Sequence, residues 1–180
     1  MNILGISGSL RAGSLNAALL RSLESLTPTG VEFGIFDALD LPLFNGDVED
    51  LGDPDSVIRL KEAVAAADGI VFACPEYNGG MTAVLKNQID WATRGEAPIK
   101  GKPVAVVGTS PGRYGSVRGQ TALKSVLLHI GCRVLPSPAV VLPRAQDLIV
   151  DGVLTDEAAV LRMTAFGASF AQWVEATKDL

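Results

Sequence analysis

The sequence is poor in the residues that bind metal ions and in the apolar runs that cross membranes. It contains two cysteines and one histidine, and neither Cys74 nor Cys132 belongs to a CxxC pair or another metal-binding spacing. With so few soft ligands, a zinc site is excluded. No apolar run approaches the roughly 20 residues that a membrane-spanning helix needs, so we expect no membrane partner.

Basic residues are too few to form a nucleic-acid surface. Fifteen Lys and Arg are outnumbered by 20 Asp and Glu, the net charge is −5, and no basic stripe with interleaved aromatic residues is present. The first residues lack the charged segment that precedes the apolar stretch of a secretory signal. We therefore expect no nucleic-acid partner and a cytoplasmic location, whose reducing conditions also suit two unpaired cysteines.

What the sequence does have is an alternation of strand-like and helix-like segments. The runs that predict strands are 2–6, 31–36, 69–74, 103–109 and 133–141. The third and fourth are apolar on both alternating faces, which is typical of parallel strands covered by helices on each side. Segments with apolar residues at helical spacing follow each strand and begin near positions 15, 55, 81, 116 and 155.

Five successive βα units predict the fold. They imply an α/β protein with three layers, in which a parallel sheet carries helices on both faces. Five strands favour the order 2-1-3-4-5 over the six-stranded dinucleotide-binding order. We expect residues 1–180 to form a single domain. In this topology a ligand binds beyond the carboxyl ends of strands 1 and 3, where the strand order reverses.

The loop after the first strand carries the residues of a phosphate site. Residues 8–16 read Gly-Ser-Leu-Arg-Ala-Gly-Ser-Leu-Asn, at the point where a strand turns into a helix. Backbone N–H groups at a helix start attract an anion. The side chains of Ser9, Ser14 and Asn16 can donate to phosphate oxygens, and Arg11 can meet them with a fork of donors. An ordinary helix N-cap needs only one such side chain.

Two further loops are predicted to reach the same crevice. In the loop 75–80, Tyr77 offers a planar surface, Asn78 can donate and accept, and the glycines let backbone approach a flat ligand. The loop 109–116 adds hydroxyls, glycines and a second tyrosine. Each loop alone is also explained as an ordinary turn. Beside a phosphate site they indicate a mononucleotide, and FMN is the ligand that occupies this switch point in the 2-1-3-4-5 topology.

Two motifs together resemble those of the NADPH-dependent FMN reductase family, which includes quinone, azo-dye and chromate reductases. The first is Gly-Ser-Leu-Arg at 8–11, with Ser14 and Asn16. The second is Pro-Glu-Tyr-Asn at 75–78, followed by Leu-Lys-Asn at 85–87 and Asp-Trp at 90–91. The resemblance implies a flavodoxin-like fold, FMN as cofactor, NADPH or NADH as co-substrate, and a small-molecule electron acceptor.

The resemblance also implies which residues bind FMN. They are Ser9, Arg11, Ser14, Leu15 and Asn16 around the phosphate, Pro75, Glu76, Tyr77, Asn78 and Gly79 along the isoalloxazine ring, and Ser110 and Gly112 in the third loop. The ring contacts would be made largely by backbone. No side chain is predicted to act as a catalytic acid or base.

Assembly is implied by the same resemblance. The helix that begins near Met81 would form the interface of a homodimer, and dimers would pair into homotetramers. Glu76 and Arg94 are candidate subunit contacts. Thr82-Ala83 stand where the family often has Pro-Gly, and Thr82 can cap the helix in place of proline.

Two other functions are compatible with these patterns. A flavodoxin-like electron carrier would bind FMN without using a nicotinamide, and a non-catalytic nucleotide-binding protein would use the fold without turnover. Cys74 precedes the second loop and is either a redox-sensitive thiol or a small buried hydrophobic residue; the sequence favours the second interpretation.

Overall fold

A computed structural model, which describes residues 1–177, contains the predicted alternation of strands and helices. The main sheet is built from β1 (Asn2–Ser7), β2 (Glu32–Phe36), β3 (Gly69–Ala73), β4 (Pro103–Thr109), β5 (Arg133–Val134) and β6 (Val140–Leu142). The helices are α1 (Leu15–Leu26), α2 (Gly46–Glu49), α3 (Asp55–Ala66), α4 (Ala83–Ala92), α5 (Val117–His129), α6 (Ala145–Leu148) and α7 (Glu157–Thr177). A small antiparallel hairpin joins β7 (Ile149–Val150) to β8 (Val153–Leu154).

The main sheet is parallel, with the order β2-β1-β3-β4-β5, which confirms the predicted topology. Every residue of β3 and β4 is buried, as expected for strands covered on both faces. The register places Ile6 beside Phe72 and Phe72 beside Val106. β1 and β3 therefore end level, at Ser7 and Ala73, and β4 runs two residues past Val107, the partner of Ala73, to Thr109. We term this side of the sheet the carboxyl edge.

The prediction of one continuous fifth strand over 133–141 is wrong, because the structure has two short strands there. They are β5, paired with the start of β4, and β6, paired with the end of β4. Between them lie Pro136 and Pro138, which have no backbone N–H for the ladder and fix their φ angles. The break has a consequence for function, because β6 brings Leu142 beside Thr109 at the carboxyl edge.

Two hydrophobic clusters cover the faces of the sheet. Leu19 and Leu23 of α1 pack with Phe166 and Phe170 of α7 on one face. On the other face α3, α4 and α5 form the second cluster, in which Trp91 is the largest fully buried side chain. Phe166 and Phe170 of the last helix are thus core residues. None of the helices within residues 1–177 has the length and apolar character to cross a bilayer.

Candidate functional site

Three loops meet at the carboxyl edge and enclose a cleft of about 170 Å³. Loop 1 (residues 8–14) follows β1, loop 2 (74–82) follows β3, and loop 3 (110–116) follows β4. The cleft is lined by Ser9, Arg11, Gly13, Ser14, Leu15, Asn16, Pro75, Glu76, Tyr77, Thr109, Ser110 and Pro111. All the predicted site residues therefore line it, except Asn78, Gly79 and Gly112.

Loop 1 leaves backbone donors unpaired. The N–H groups of Ser9, Arg11 and Ser14 are bonded within the loop and to Ser7. Those without an acceptor among the described residues belong to Leu10, Ala12, Gly13, Leu15 and Asn16. The last two open α1, where the positive end of the helix dipole adds to their attraction for an anion. Nor does the Arg11 guanidinium have a carboxylate partner within residues 1–177.

These donors fit the phosphate of FMN. A phosphate monoester offers three strong acceptor oxygens, which suit several backbone N–H groups and one guanidinium. The cleft is smaller than the roughly 300–1,000 Å³ that enclose a drug-sized ligand. It can therefore surround the phosphate end of a mononucleotide, while a flavin ring would lie along loop 2 with one side open to solvent.

Three of the predicted phosphate ligands have other partners. The Ser9 hydroxyl oxygen accepts from the Arg11 N–H at 3.3 Å. The Ser14 hydroxyl oxygen accepts from the Ala17 N–H at 3.1 Å and so caps α1. The Asn16 amide is bonded in both directions to the backbone of Thr109, since Nδ2 donates to the carbonyl at 3.0 Å and Oδ1 accepts from the N–H at 3.1 Å. Asn16 thus joins α1 to the end of β4, and what it can still offer an anion is its own backbone N–H.

The base of loop 1 is held by α4. The Thr82 hydroxyl donates to the Gly8 carbonyl at 2.8 Å, and Gln88 Nε2 donates to the Ser7 carbonyl at 3.0 Å. Both side chains are buried. Thr82 also caps α4 by accepting from Leu85 N–H, as predicted. A proline at position 82 would have no hydroxyl, so the bond to Gly8 depends on the residue that this chain has there.

Glycine at position 8 lets loops 1 and 2 touch. A Cβ atom there would lie 2.5 Å from Cδ of Pro75 and 2.8 Å from the side chain of Leu85, closer than such atoms approach in proteins. The close contact between the two loops therefore requires this glycine.

Loop 2 contains a two-residue β-hairpin. Tyr77 and Gly80 exchange both backbone hydrogen bonds at 3.1 Å, and the φ angles of Asn78 and Gly79 are 52° and 77°. These positive values define a type I′ turn, for which Asn-Gly is the strongest sequence signal. Asn78-Gly79 is thus a hairpin signal in the sequence that was not used to predict this turn. The turn leaves Tyr77 54% exposed beside the cleft.

Glu76 stabilises the start of α5. Its Oε2 accepts from the N–H groups of Arg118 at 2.8 Å and Gly119 at 3.1 Å. The residue at the N-cap position, Ser116, has a φ of 70° and makes no side-chain cap bond. The Glu76 carboxylate takes its place, with the sign of charge that a helix N-terminus favours. Sequence reasoning missed this role because the partners lie more than 40 positions away.

Loop 3 is fixed to the segment around β6 and carries the exposed Arg113, and the exposed Arg118 follows it in the first turn of α5. Ser110 N–H donates to the Leu142 carbonyl at 3.3 Å, and the Gly112 carbonyl accepts from Arg144 N–H at 3.2 Å. Arg113 and Arg118 both lie over the ring of Tyr114. One border of the cleft is therefore cationic, although the chain as a whole is acidic.

Cys74 is fully buried at the start of loop 2, where its Sγ lies 3.4 Å from the Pro75 carbonyl oxygen. Burial, with a smaller contribution from the negative charge of Glu76, raises the pKa of this thiol to about 12. The thiol is therefore protonated at neutral pH, in agreement with its interpretation as a small buried residue. The part of the chain that is described holds no cluster of His, Cys, Asp or Glu suited to a metal ion.

Comparison with known proteins agrees with the resemblance to FMN reductases that the two motifs indicated. Residues 1–147 match the family described as NADPH-dependent FMN reductase. The NAD(P)H-dependent FMN reductase PA1204 of Pseudomonas aeruginosa is 44% identical over 161 residues, which are 88% of this chain and 87% of that protein. A 2-hydroxy-1,4-benzoquinone reductase of a Burkholderia species is 33% identical over 177 residues, 97% of this chain and 96% of that protein.

A solved structure agrees closely with the fold. FerB of Paracoccus denitrificans, a flavoenzyme NAD(P)H:(acceptor) oxidoreductase, is 36% identical, and its alignment covers 98% of both chains with a TM-score of 0.90.

Proposed function

Because this chain belongs to the NADPH-dependent FMN reductase family, it is an oxidoreductase with FMN as cofactor and NAD(P)H as electron donor, and we propose that it reduces quinones at the cleft between loops 1, 2 and 3. The observation that carries this assignment is the set of unpaired backbone donors in loop 1, next to the unpaired Arg11. When bound at this site, FMN would supply the redox chemistry, the transfer of hydride from reduced nicotinamide and of electrons to the acceptor.

The protein's part is to bind and orient. Arg11 and the free N–H groups of loop 1 hold the phosphate, and the helix dipole of α1 adds to their effect. In loop 2 the N–H groups of Asn78 and Gly79 have no acceptor among residues 1–177, so they are available to the polar edge of the ring. Tyr77 borders the same surface. Ser110, tied to β6, closes the third side of the cleft.

A quinone suits the open side of this site. The cleft surrounds only one end of a mononucleotide, which leaves a flat surface along loop 2 for a nicotinamide and then for a flat acceptor. The Burkholderia relative, which aligns over nearly all of this chain, is itself named a benzoquinone reductase. Both considerations favour a quinone over a protein partner as the acceptor.

A homodimer in the cytoplasm completes the proposal, with pairing of dimers into a tetramer. Three leucines in the 37–54 segment beside α4 are strongly exposed: Leu39 at 69%, Leu43 at 76% and Leu51 at 91%. We propose that these exposed apolar side chains contribute to the subunit interface. Of the two expected subunit contacts, Arg94 is bonded to Glu49 at 2.9 Å, and Glu76 to α5 within its own chain. The leucines therefore carry the interface, and Leu43→Asp should convert the assembly to a smaller species in sedimentation analysis.

The experiment that tests the function is a visible spectrum of the FMN-loaded protein under anaerobic conditions. We expect NADPH to bleach the flavin band and a benzoquinone to restore it. Bound flavin that responds to neither NADPH nor NADH would mean that the protein is an electron carrier. A protein that does not retain FMN at all would contradict the assignment of the cleft.

A further inference from the structure

We infer that Arg113, Tyr114 and Arg118 form a subsite for a phosphate monoester, the 2′-phosphate that distinguishes NADPH from NADH. The inference rests on the proposed function, because it supposes that the reduced nicotinamide binds at the cleft. It assigns the coenzyme preference to loop 3 and to the first turn of α5.

The two cations contact the same aromatic ring. The guanidinium carbon of Arg113 lies 4.8 Å, and that of Arg118 4.9 Å, from the centre of the Tyr114 ring. Arg113 Nη2 also donates to the Tyr114 hydroxyl oxygen at 2.6 Å. The ring thus limits the freedom of two long side chains before any ligand arrives, which lowers the entropy cost of binding.

Most of the donors of these two guanidinium groups are unused. Each guanidinium has five N–H donors. Within residues 1–177 those of Arg113 have the Tyr114 hydroxyl as their partner, and those of Arg118 have none. Neither side chain forms an ion pair with a carboxylate of the described chain. Two neighbouring positive charges repel each other, and a phosphate monoester, which carries a charge of about −1.5 to −2, would relieve that repulsion.

Arg118 lies next to loop 2, just outside the residues that line the cleft, and Arg113 follows Pro111, which lines it. A Cβ atom at Gly79 would lie 3.8 Å from Cδ of Arg118, and the Arg118 N–H is bonded to Glu76, which lines the cleft. A coenzyme whose nicotinamide lies along loop 2 must extend past the border of the cleft. Loop 3 and the first turn of α5 together offer it two cations without a carboxylate partner among the described residues.

The other cations near the carboxyl edge are already engaged. Lys86 is paired with Asp90 at 2.6 Å, and Arg144 lies 3.6 Å from Asp147. Arg11 is assigned to the phosphate of FMN. This leaves the pair on Tyr114 as the place where an additional phosphate can be recognised.

The test compares two nucleotides that differ in one phosphate. FMN-loaded protein is titrated calorimetrically with 2′,5′-ADP and with 5′-ADP, and kcat/KM is measured for NADPH and NADH. In Arg113→Gln and Arg118→Gln, affinity for 2′,5′-ADP and kcat/KM for NADPH should each fall roughly tenfold or more, the usual cost of a hydrogen bond to a charged group. The values for 5′-ADP and NADH should stay as in the wild type. Tyr114→Phe, which keeps the ring but not the hydroxyl, should show a smaller loss of the same selectivity.

Arg162→Gln is the matched control, since it removes the same charge from the exposed surface of α7 and should change none of these values. An equal loss for both nucleotides, or no loss in either arginine variant, would overturn the subsite while leaving the reductase activity intact. If kcat/KM of the arginine variants fell only when the electron acceptor is an anion, Arg113 and Arg118 would bind that acceptor. This result would also overturn the subsite for the 2′-phosphate. Failure of both NADPH and NADH to reduce the flavin of the wild type would instead contradict the proposed function itself.

Discussion

The two edges of the main sheet both carry cationic side chains beside a groove, but they use them differently. At the amino edge, where β3 and β4 begin, Lys102 Nζ donates to the carbonyls of Ala65 at 2.8 Å and Ala67 at 2.6 Å. Arg133 Nη1 donates to the Thr177 carbonyl at 2.9 Å. These cations satisfy the last carbonyls of α3 and α7, which helix ends leave without partners.

At the carboxyl edge three arginines keep most of their side-chain donors free. Arg11, Arg113 and Arg118 bond to no carbonyl or carboxylate of the described chain through their side chains. Groove size does not explain why the cations of the two edges differ in their partners. The groove at the amino edge has a volume of about 380 Å³ and is larger than the cleft at the carboxyl edge, which has about 170 Å³. A cation stabilises the fold when its donors are satisfied by the chain, and it can recognise a ligand when they are not.

The strongest test of this comparison is Arg11→Ala. The loss of a charge-assisted bond worth roughly 1.5–3 kcal/mol should weaken FMN binding by about one to two orders of magnitude. The free energy of unfolding of the FMN-free protein should change by less than about 0.5 kcal/mol, because the side chain is exposed and unpaired. Flavin fluorescence titration and urea unfolding measure the two quantities. Unchanged affinity would remove Arg11 from the phosphate site.

Lys102→Met should show the opposite pattern. It removes both bonds to the end of α3, so we expect the free energy of unfolding to fall by about 1–2 kcal/mol, with FMN affinity unchanged. Burial lowers the pKa of Lys102, and this desolvation offsets part of what the bonds contribute. Lys100→Met, at an exposed neighbour in the same groove, is the control and should be neutral. Weaker FMN binding by the Lys102 variant would break the distinction between the edges.

Thr82→Val tests a buried bond that belongs to the carboxyl edge. The substitution keeps the shape of the side chain but leaves the Gly8 carbonyl without its donor, and it removes the cap of α4. We expect a loss of about 1 kcal/mol in the free energy of unfolding and a several-fold loss of FMN affinity, because the base of loop 1 is no longer held. Thr82→Ser retains the hydroxyl and should restore both. If Thr82→Val binds FMN as tightly as the wild type, the bond to Gly8 does not position the loop.

The smallest effect at neutral pH concerns the two cysteines, one near each edge. Burial raises the pKa of Cys74 and of Cys132 to about 12. The folded state therefore favours the protonated thiol. This contribution to stability is fully present below the ordinary thiol pKa of about 8.5 and is lost as the pH rises towards 12.

Urea unfolding between pH 7 and pH 10.5 measures that loss. Cys74→Ala and Cys132→Ala should each flatten the decline of stability above pH 8.5, and to a similar degree, since the cause is burial at both edges. The relevant quantity is how much the slope of unfolding free energy against pH differs between each variant and the wild type. Lysine and tyrosine side chains titrate in the same pH range and contribute to the slope of every protein compared. A slope unchanged in both variants would contradict the raised pKa values.

The sequence predicted the elements that depend on neighbouring residues. Apolar runs placed β1, β3 and β4, and the Ser14 motif marked the start of α1, because strand burial and helix capping are local properties. The same reasoning failed at 133–141, where the run of apolar residues concealed two prolines that interrupt the ladder.

The amino-acid sequence thus sufficed to predict the order of the strands, the edge at which a ligand is expected to bind, and the loop expected to hold a phosphate. The bonds from Thr82 to Gly8, from the start of α5 to Glu76 and between Asn16 and Thr109 emerged only from the three-dimensional fold. The physical reason is distance along the chain: these partners are 42 to 93 positions apart. A hydrogen bond between such residues is fixed by the packing of whole helices against the sheet, which no local pattern encodes.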